Sequence, residues 1–416
     1  MSDIIRNIKG TKDILFDETS IWIYLENYIH KFFANFGYKE IRTPSFENTE
    51  LFLRSIGEDT DIVSKEMYSW TDQGNNKLTL RPELTASVSR SYIQHQLSKQ
   101  QKSHKFYYLG SSYRRERPQK GRLRQFKQFG VEAFGSEFPE QDAEIISMAY
   151  LLYDSLNIEN LTLRINSIGS REDRKKYIKK LRDYFSKFED QLTSTSKKRL
   201  VNNPLRILDT KVDFEINLVK NAPKIIDFIS LDDKKHFQKL LNILDSLNIP
   251  YFIDDYLVRG LDYYSRTVFE IQTDSLGSQN ALCGGGRYDY LVQELGGIDT
   301  PAMGFAAGLE RLIIAANLDN QKVSPRPDIY IIAINDEAAI VSMQIANQLR
   351  IKKNFIVIND TLKRSLKAQM KDANRLKVKY SIIIGDEELS KKQVSIKNMD
   401  TGNQETLSID QVLEYF

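Results

Sequence analysis

Two aromatic, β-favouring runs, Phe106 to Tyr113 and Gln125 to Phe134, bracket a link that holds Pro118 and Gly121 and almost no apolar side chain. Such runs joined by a polar connection fold as an antiparallel pair with a long loop, so the chain must build a sheet around them. From Arg114 to Lys127 it carries seven basic residues (Arg114, Arg115, Arg117, Lys120, Arg122, Arg124 and Lys127) against one acid, Glu116. A charge run is commonly a solvated face. Here, however, Arg114 and Glu116 stand at a strand end, where alternation aims both side chains to one side. A guanidinium beside a carboxylate suits a nucleotide: the first forks onto phosphate oxygens and the second accepts from an exocyclic amine. On the returning strand Gln128 and Glu132 face one side, with Phe129 and Val131 on the other. The polar pair either meets solvent or lines a pocket.

Composition narrows the chemistry. A length of 416 residues predicts two or three domains at about 150 residues each. With 59 Lys plus Arg against 56 Asp plus Glu, the net charge is +3, too even to indicate a nucleic-acid partner, so any basic surface must be local. The one cysteine, Cys283, rules out an intrachain disulfide and a cysteine-cage zinc site. The four histidines, His30, His95, His104 and His236, form no HxxxH or HExxH pattern, which leaves a zinc hydrolase or a Ser-His-Asp enzyme little to build from. No apolar run reaches the roughly 18 residues of a membrane span, and the first ten residues lack a signal-peptide hydrophobic region. A soluble, cytoplasmic chain with no membrane partner is expected.

Along the chain, Ile21, Tyr24, Leu25, Tyr28, Ile29, Phe32 and Phe33 repeat at helical spacing, with Asp17 or Thr19 as the expected N-cap and Gly37 as the stop. A short strand, Tyr38 to Pro44, follows. A second hairpin turns at Gly74 to Asn76, and its return strand, Lys77 to Leu80, delivers Arg81-Pro82-Glu83-Leu84-Thr85. Glu83 and Thr85 at that tip either bind an ammonium group or cap a helix from Thr85 to Leu97. A helix over 140–156 and a strand from Leu161 to Ile168 come next. No glycine occurs between Gly169 and Gly260, and Ser170 to about Leu247 is lysine-rich and helical, which reads as an insertion between sheet strands. Tyr251 to Val258 is expected as a strand running into Arg259-Gly-Leu-Asp-Tyr-Tyr264, followed by a strand from Thr267 to Gln272. Cys283 to Asp289 holds three glycines, and Pro301 to Arg311 runs from strand to helix. After Pro325-Arg326-Pro327, alternating strands and helices imply a small α/β domain with a mostly parallel sheet. Its segment Lys363 to Lys379 carries seven basic residues and one acid.

Several of these strings resemble the class II aminoacyl-tRNA synthetases in their histidyl version. Tyr113-Arg-Arg-Glu116, the RPQKGR loop and Gln128 to Glu132 resemble motif 2. Pro301 to Arg311 resembles motif 3, the helix-strand-proline order before Pro44 resembles motif 1, and RGLDYY and CGGGRYD resemble the two histidyl motifs. The resemblance implies an α+β fold: an antiparallel catalytic sheet flanked by helices over 1–322, a helical insertion at about 170–248, and an α/β anticodon-binding domain over 323–416. It implies that histidine is joined to ATP as an adenylate and passed to the 3′ end of tRNA-His, by a homodimer.

Carried over by position, the resemblance assigns catalysis to Arg259 and Arg114. Glu83 and Thr85 would hold the histidine α-amino group, Glu132 and Tyr264 the imidazole, and Gln128, Tyr263 and Tyr288 the rest of that pocket. ATP, with Mg²⁺ on its phosphates, would meet Arg114, Glu116, Arg122, Arg259 and Arg311. tRNA would meet Arg117, Gln119, Lys120 and Arg122 at the acceptor stem, and Lys363, Arg364, Lys367 and Lys371 in the anticodon-binding domain. Two other readings share the fold: a synthetase-like regulatory subunit of histidine biosynthesis, and a catalytically inactive tRNA-binding protein.

Overall fold

The aromatic hairpin lies inside a sheet, not at its edge. In order along the chain the strands of the first unit are β1 (Lys39–Glu40), β2 (Phe46–Asn48), β3 (Tyr68–Thr71), β4 (Lys77–Leu80), β5 (His104–Tyr113), β6 (Gln125–Phe134), β7 (Leu161–Ser167), β8 (Phe252–Ile253), β9 (Ser265–Thr273), β10 (Ala281–Arg287) and β11 (Ala302–Gly308). Eight of them form one sheet, ordered β1-β5-β6-β11-β10-β9-β7-β8. Pairing is antiparallel from β5 through β7, with a parallel pair at each edge. The remaining three make a small sheet, β2-β4-β3. The computed structural model describes residues 4–57, 60–117, 121–277, 280–319 and 323–416. The chain folds as two compact units, Met1–Asp319 and Asn320–Phe416.

Period-two alternation sorts β6. Phe129 and Val131 enter an apolar cluster with Leu25, Ile29 and Phe33 of the helix Phe16–Asn35 and with Ile145 and Leu152 of the helix Pro139–Asp154. Gln128 and Glu132 point the other way, and each is largely buried, at 7% and 1% exposure. The N-terminal helix starts at Phe16 without a side-chain cap among the described residues. Thr19, one of the two expected caps, instead donates to the Ile14 carbonyl; the side chain of Asp17, the other, lies outside the described residues. Within the lysine-rich stretch, the helix Leu231–Ser246 places Phe237, Leu240, Leu241 and Leu244 in the same cluster as the sheet, so its last helix is part of the main core.

Several elements differ from expectation. Only Phe252 and Ile253 of the expected Tyr251–Val258 strand pair with a neighbour. Asp254 ends it: its carboxylate accepts the Tyr256 amide at 3.1 Å, and the Leu257 amide bonds the Asp254 carbonyl at 2.9 Å. This local turn competes with the ladder, and Arg259 to Tyr264 consequently lies in a loop and not in a strand interior. In the second unit, β12 (Ile329–Ala333), β13 (Val357–Asn359), β14 (Tyr380–Ile384), β15 (Gln393–Asn398) and β16 (Gln404–Ser408) are ordered β13-β12-β14-β15-β16. β12 is parallel to both neighbours, but β14-β15 and β15-β16 are antiparallel. The sheet is therefore mixed, not mostly parallel, because the links after β14 and β15 are shorter than the dozen or so residues a parallel crossover requires. The helix expected from Leu362 begins at Leu366, where Ser365 caps it.

A buried ionic cluster ties β10 to the surrounding helices. Arg287, with no exposure, donates to Asp142 at 2.6 Å, to Asp289 at 3.1 Å and to the Ser136 and Phe138 carbonyls. The second Asp142 oxygen takes the Thr267 hydroxyl at 2.6 Å and lies 2.8 Å from His236 Nε2. Removing one partner of such a pair strands the other in a low-dielectric interior. Asp142→Ala is expected to cost about 3–5 kcal/mol of unfolding free energy, read by urea denaturation; a loss below about 1 kcal/mol would show the cluster to be dispensable.

Candidate active site

The side of the sheet that carries Gln128 holds a cavity of about 730 Å³. Its polar wall begins at the tip of β4. Arg81 donates to the Ser111 and Thr43 carbonyls at 2.8 and 2.7 Å, fixing the backbone that presents Glu83. The Glu83 carboxylate accepts the Thr85 and Ala86 amides at 2.6 and 2.9 Å, so it caps the helix Thr85–Gln94 while also lining the cavity. Burial pushes its pKa up, and those amides oppose the shift. Gln128 accepts the Leu84 amide at 3.2 Å, tying β6 to the same turn.

Opposite lies the loop ahead of β9. Tyr263 and Tyr264 line the cavity with their ring centroids 4.7 Å apart. Arg259 lines it too, ion-paired with Glu270 of β9, while its Nε is buried without a hydrogen-bond partner among the described residues. Its guanidinium lies across Gly284, where a Cβ would come within 1.7 Å of Nη2. Glycine is required there for close approach. Arg114 donates from Nε to the Pro82 carbonyl at 2.9 Å and sits 5.4 Å from the Phe126 ring centre. Glu116 is ion-paired with Arg122 at 3.0 Å and with Arg114 at 3.9 Å. Arg311 also lines the cavity and donates to the Ala281 carbonyl. Burial first, and the Arg122 charge after it, hold Arg311 below the usual arginine range. It stays protonated all the same.

The structure thus brings Glu83, Thr85, Arg114, Arg122, Gln128, Arg259, Tyr263, Tyr264 and Arg311 around one cavity. Glu132 and Tyr288 lie one layer behind it. Glu132 accepts hydroxyls from Thr85 at 2.6 Å, from Tyr108 at 3.1 Å and from Tyr288. Burial pushes its pKa up to about 8, and the Thr85 and Tyr288 hydroxyls oppose the shift. Arg117 is exposed, and the expected tRNA contacts Gln119 and Lys120 fall outside the described residues. In the second unit Lys367 and Lys371 are exposed, and Lys363 pairs with Asp336 at 2.6 Å. Arg364 is held at 2.9 Å by both Asp360 and Asp372.

Sequence reasoning passed over Phe126, Glu270 and Tyr108. Phe126 was within reach of the period-two rule, being two residues from Gln128 on one strand. Glu270 and Tyr108 gave no local signal, because the partner of each lies on another strand or loop.

A family model described as histidyl-tRNA synthetase matches residues 10–312, and one described as an anticodon binding domain matches 328–416. The histidine–tRNA ligase of Ruthia magnifica is 45% identical over 418 aligned residues, covering 100% of this chain and 99% of that protein. That of Acetivibrio thermocellus is 47% identical over 409 residues, covering 97% of each. The crystal structure of apo S. aureus histidyl-tRNA synthetase superposes with a TM-score of 0.83 at 38% identity, covering 99% of this chain and 100% of that one. Fold and comparisons define an aminoacyl-tRNA synthetase with an antiparallel catalytic sheet. The chain belongs to the histidyl-tRNA synthetase family.

The buried acid has a consequence for stability. A carboxyl group whose folded pKa lies above its unfolded one contributes stability in full below the unfolded value and loses it as pH rises through the folded value. For Glu132 that window runs from the ordinary carboxyl range, about 4.3, to about 8. In thermal melts of the empty protein, Glu132→Gln is expected to flatten the decline in Tm across this window; an unchanged slope would contradict the shift.

Proposed function

We propose that this chain is a histidine–tRNA ligase that first joins histidine to ATP and then transfers it to tRNA-His. The observation that carries the reading is the convergence of an acid with a neighbouring hydroxyl (Glu83, Thr85), an amide (Gln128), two tyrosines and four arginines on one cavity. Glu83 and Thr85 take the α-ammonium group. Tyr264 and Glu132 take the imidazole, one offering a hydroxyl and the other an acceptor oxygen, with Tyr263 and Tyr288 enclosing it. Arg114, Arg122, Arg259 and Arg311 take the phosphates, and Glu116 the adenine amine.

A histidine carboxylate oxygen attacks the α-phosphorus, the bond to the bridging oxygen breaks, and pyrophosphate leaves with the displaced electron pair. A ribose hydroxyl at the tRNA 3′ end then attacks the acyl carbon of the adenylate; the bond from that carbon to the phosphate oxygen breaks, AMP leaves with the electron pair, and the hydroxyl proton is released. Neither step needs a side-chain nucleophile; both need charge stabilised where it develops and reactants held in line. Arg259 and Arg114 do that work. Mg²⁺ would enter on the phosphates, as this ion usually does, with one or two carboxylates beside it; Glu270 is a cavity-lining oxygen donor suited to that task.

For tRNA we propose Arg117, Gln119, Lys120 and Arg122 at the acceptor stem and Lys363, Lys367 and Lys371 at the anticodon side. Arg364, already shared by two aspartates, chiefly orders the turn ahead of Ser365. A homodimer is supported by exposed apolar side chains near the N-terminus, with Ile5 97% and Phe16 87% exposed. No helix among the described residues is long and apolar enough to cross a membrane, and a cytoplasmic location agrees with that. The regulatory-subunit reading is disfavoured by full-length likeness to ligases and by the anticodon binding domain match.

Histidine-dependent ATP–pyrophosphate exchange tests the reading; no exchange would leave the inactive tRNA-binding protein. Within it, Arg259→Ala is expected to lower the exchange rate about 10²- to 10³-fold, by analogy with loss of one oxyanion donor, while histidine binding falls far less. Equal loss of both would remove Arg259 from the transition state.

A further inference from the structure

One buried hydroxyl in the site has no role in that account. Tyr108 stands on β5 opposite Gly130 of β6, and it is 1% exposed. A Cβ at Gly130 would lie 2.6 Å from the Tyr108 hydroxyl oxygen and 2.1 Å from the Phe305 carbonyl. The glycine is therefore what lets the ring cross its neighbour strand and reach Glu132, two residues further along. Tyr108 does not line the cavity, and its hydroxyl is directed to Glu132 at 3.1 Å.

An ionised carboxylate offers about four lone-pair sites. In Glu132 one oxygen takes the Thr85 and Tyr108 hydroxyls, at 2.6 and 3.1 Å, and the other takes Tyr288. Three sites are filled, which leaves one acceptor for one N–H. Of the three donors only Thr85 lines the cavity. Tyr108, on β5, and Tyr288, directly after β10, fix the plane of the carboxyl group independently of what the cavity holds.

We propose that Tyr108 is a positioning residue for recognition of the histidine side chain, orienting the Glu132 carboxylate so that its remaining acceptor site meets a single imidazole N–H. This rests on the reading of Glu132 given above. The titratable groups that face Glu132 are Glu83 from the turn after β4, Tyr108 from β5, Tyr263 and Tyr264 from the loop before β9, and Tyr288 after β10; Tyr38, packed on the other face of the sheet, acts on it only weakly. The Tyr108 hydroxyl favours the ionised form of Glu132, so its loss makes the acid harder to ionise.

The test is Tyr108→Phe in the full chain, with steady-state pyrophosphate exchange measured against histidine and against ATP over about pH 6 to 9, spanning the titration of a perturbed carboxyl, alongside thermal melts. The expected result is a KM for histidine raised about tenfold, the order for one lost hydrogen bond. kcat and the KM for ATP should stay within about twofold, and the pH at which the histidine KM settles should move upward. A histidine KM and pH profile equal to those of the wild type overturn the proposal, with or without a lowered Tm. So does a parallel loss in kcat and both KM values, which would mark general damage. Failure of the wild-type chain itself to exchange with histidine removes the functional reading and this inference together; failure of the variant to differ removes the inference alone.

Discussion

The site depends on the register of one strand. β6 is held on both edges, against β5 with Glu132 opposite Phe106 and against β11 with Glu132 opposite Gly304. A slip of one residue would exchange its faces, sending Gln128 and Glu132 into the apolar cluster and Phe129 and Val131 toward the cavity. The pairing with β11 also needs Gly304, where a Cβ would come within 1.8 Å of a Glu132 oxygen. A buried acid is thus given space by one glycine and partners by three hydroxyls. Each of these contributions comes from a different segment of the chain.

The charges of the site are largely satisfied from within. Glu83 holds the first amides of a helix, Arg259 holds Glu270, and Glu116 holds Arg122. These are contacts a ligand can supplement or replace: an ammonium group at Glu83, phosphate oxygens at the arginines. A site so arranged gains most from a polyanion that also carries an amine. Its glycines, at 284 and 304, admit close approach of side chains that a Cβ would block.

Much of this was legible in the sequence, and the misreadings have physical causes. The β5–β6 hairpin and the two faces of β6 follow from alternation and from a polar link that no core could absorb. The strand expected from Tyr251 to Val258 failed because β-propensity cannot register that the Asp254 side chain captures a nearby amide and turns the chain. The second sheet was expected to be mostly parallel because strands and helices alternate, but short links after β14 and β15 forced antiparallel returns. Tyr108 looked like one aromatic residue among several in FYYL; only its cross-strand neighbour, a glycine, shows why its hydroxyl reaches an acid.

By itself the sequence determined where most strands and helices lie and which side chains share a face, because those periods come from backbone geometry and act within a few residues. Tertiary structure alone decided that the tip of β4, the Gln128 face of β6 and the loop ahead of β9 surround one cavity while Glu132 and Tyr288 stand behind it. That outcome follows from the sheet order β6-β11-β10-β9, in which the β6–β11 pairing joins residues more than a hundred positions apart. No local window contains the hydrogen bonds and burial that select such an order.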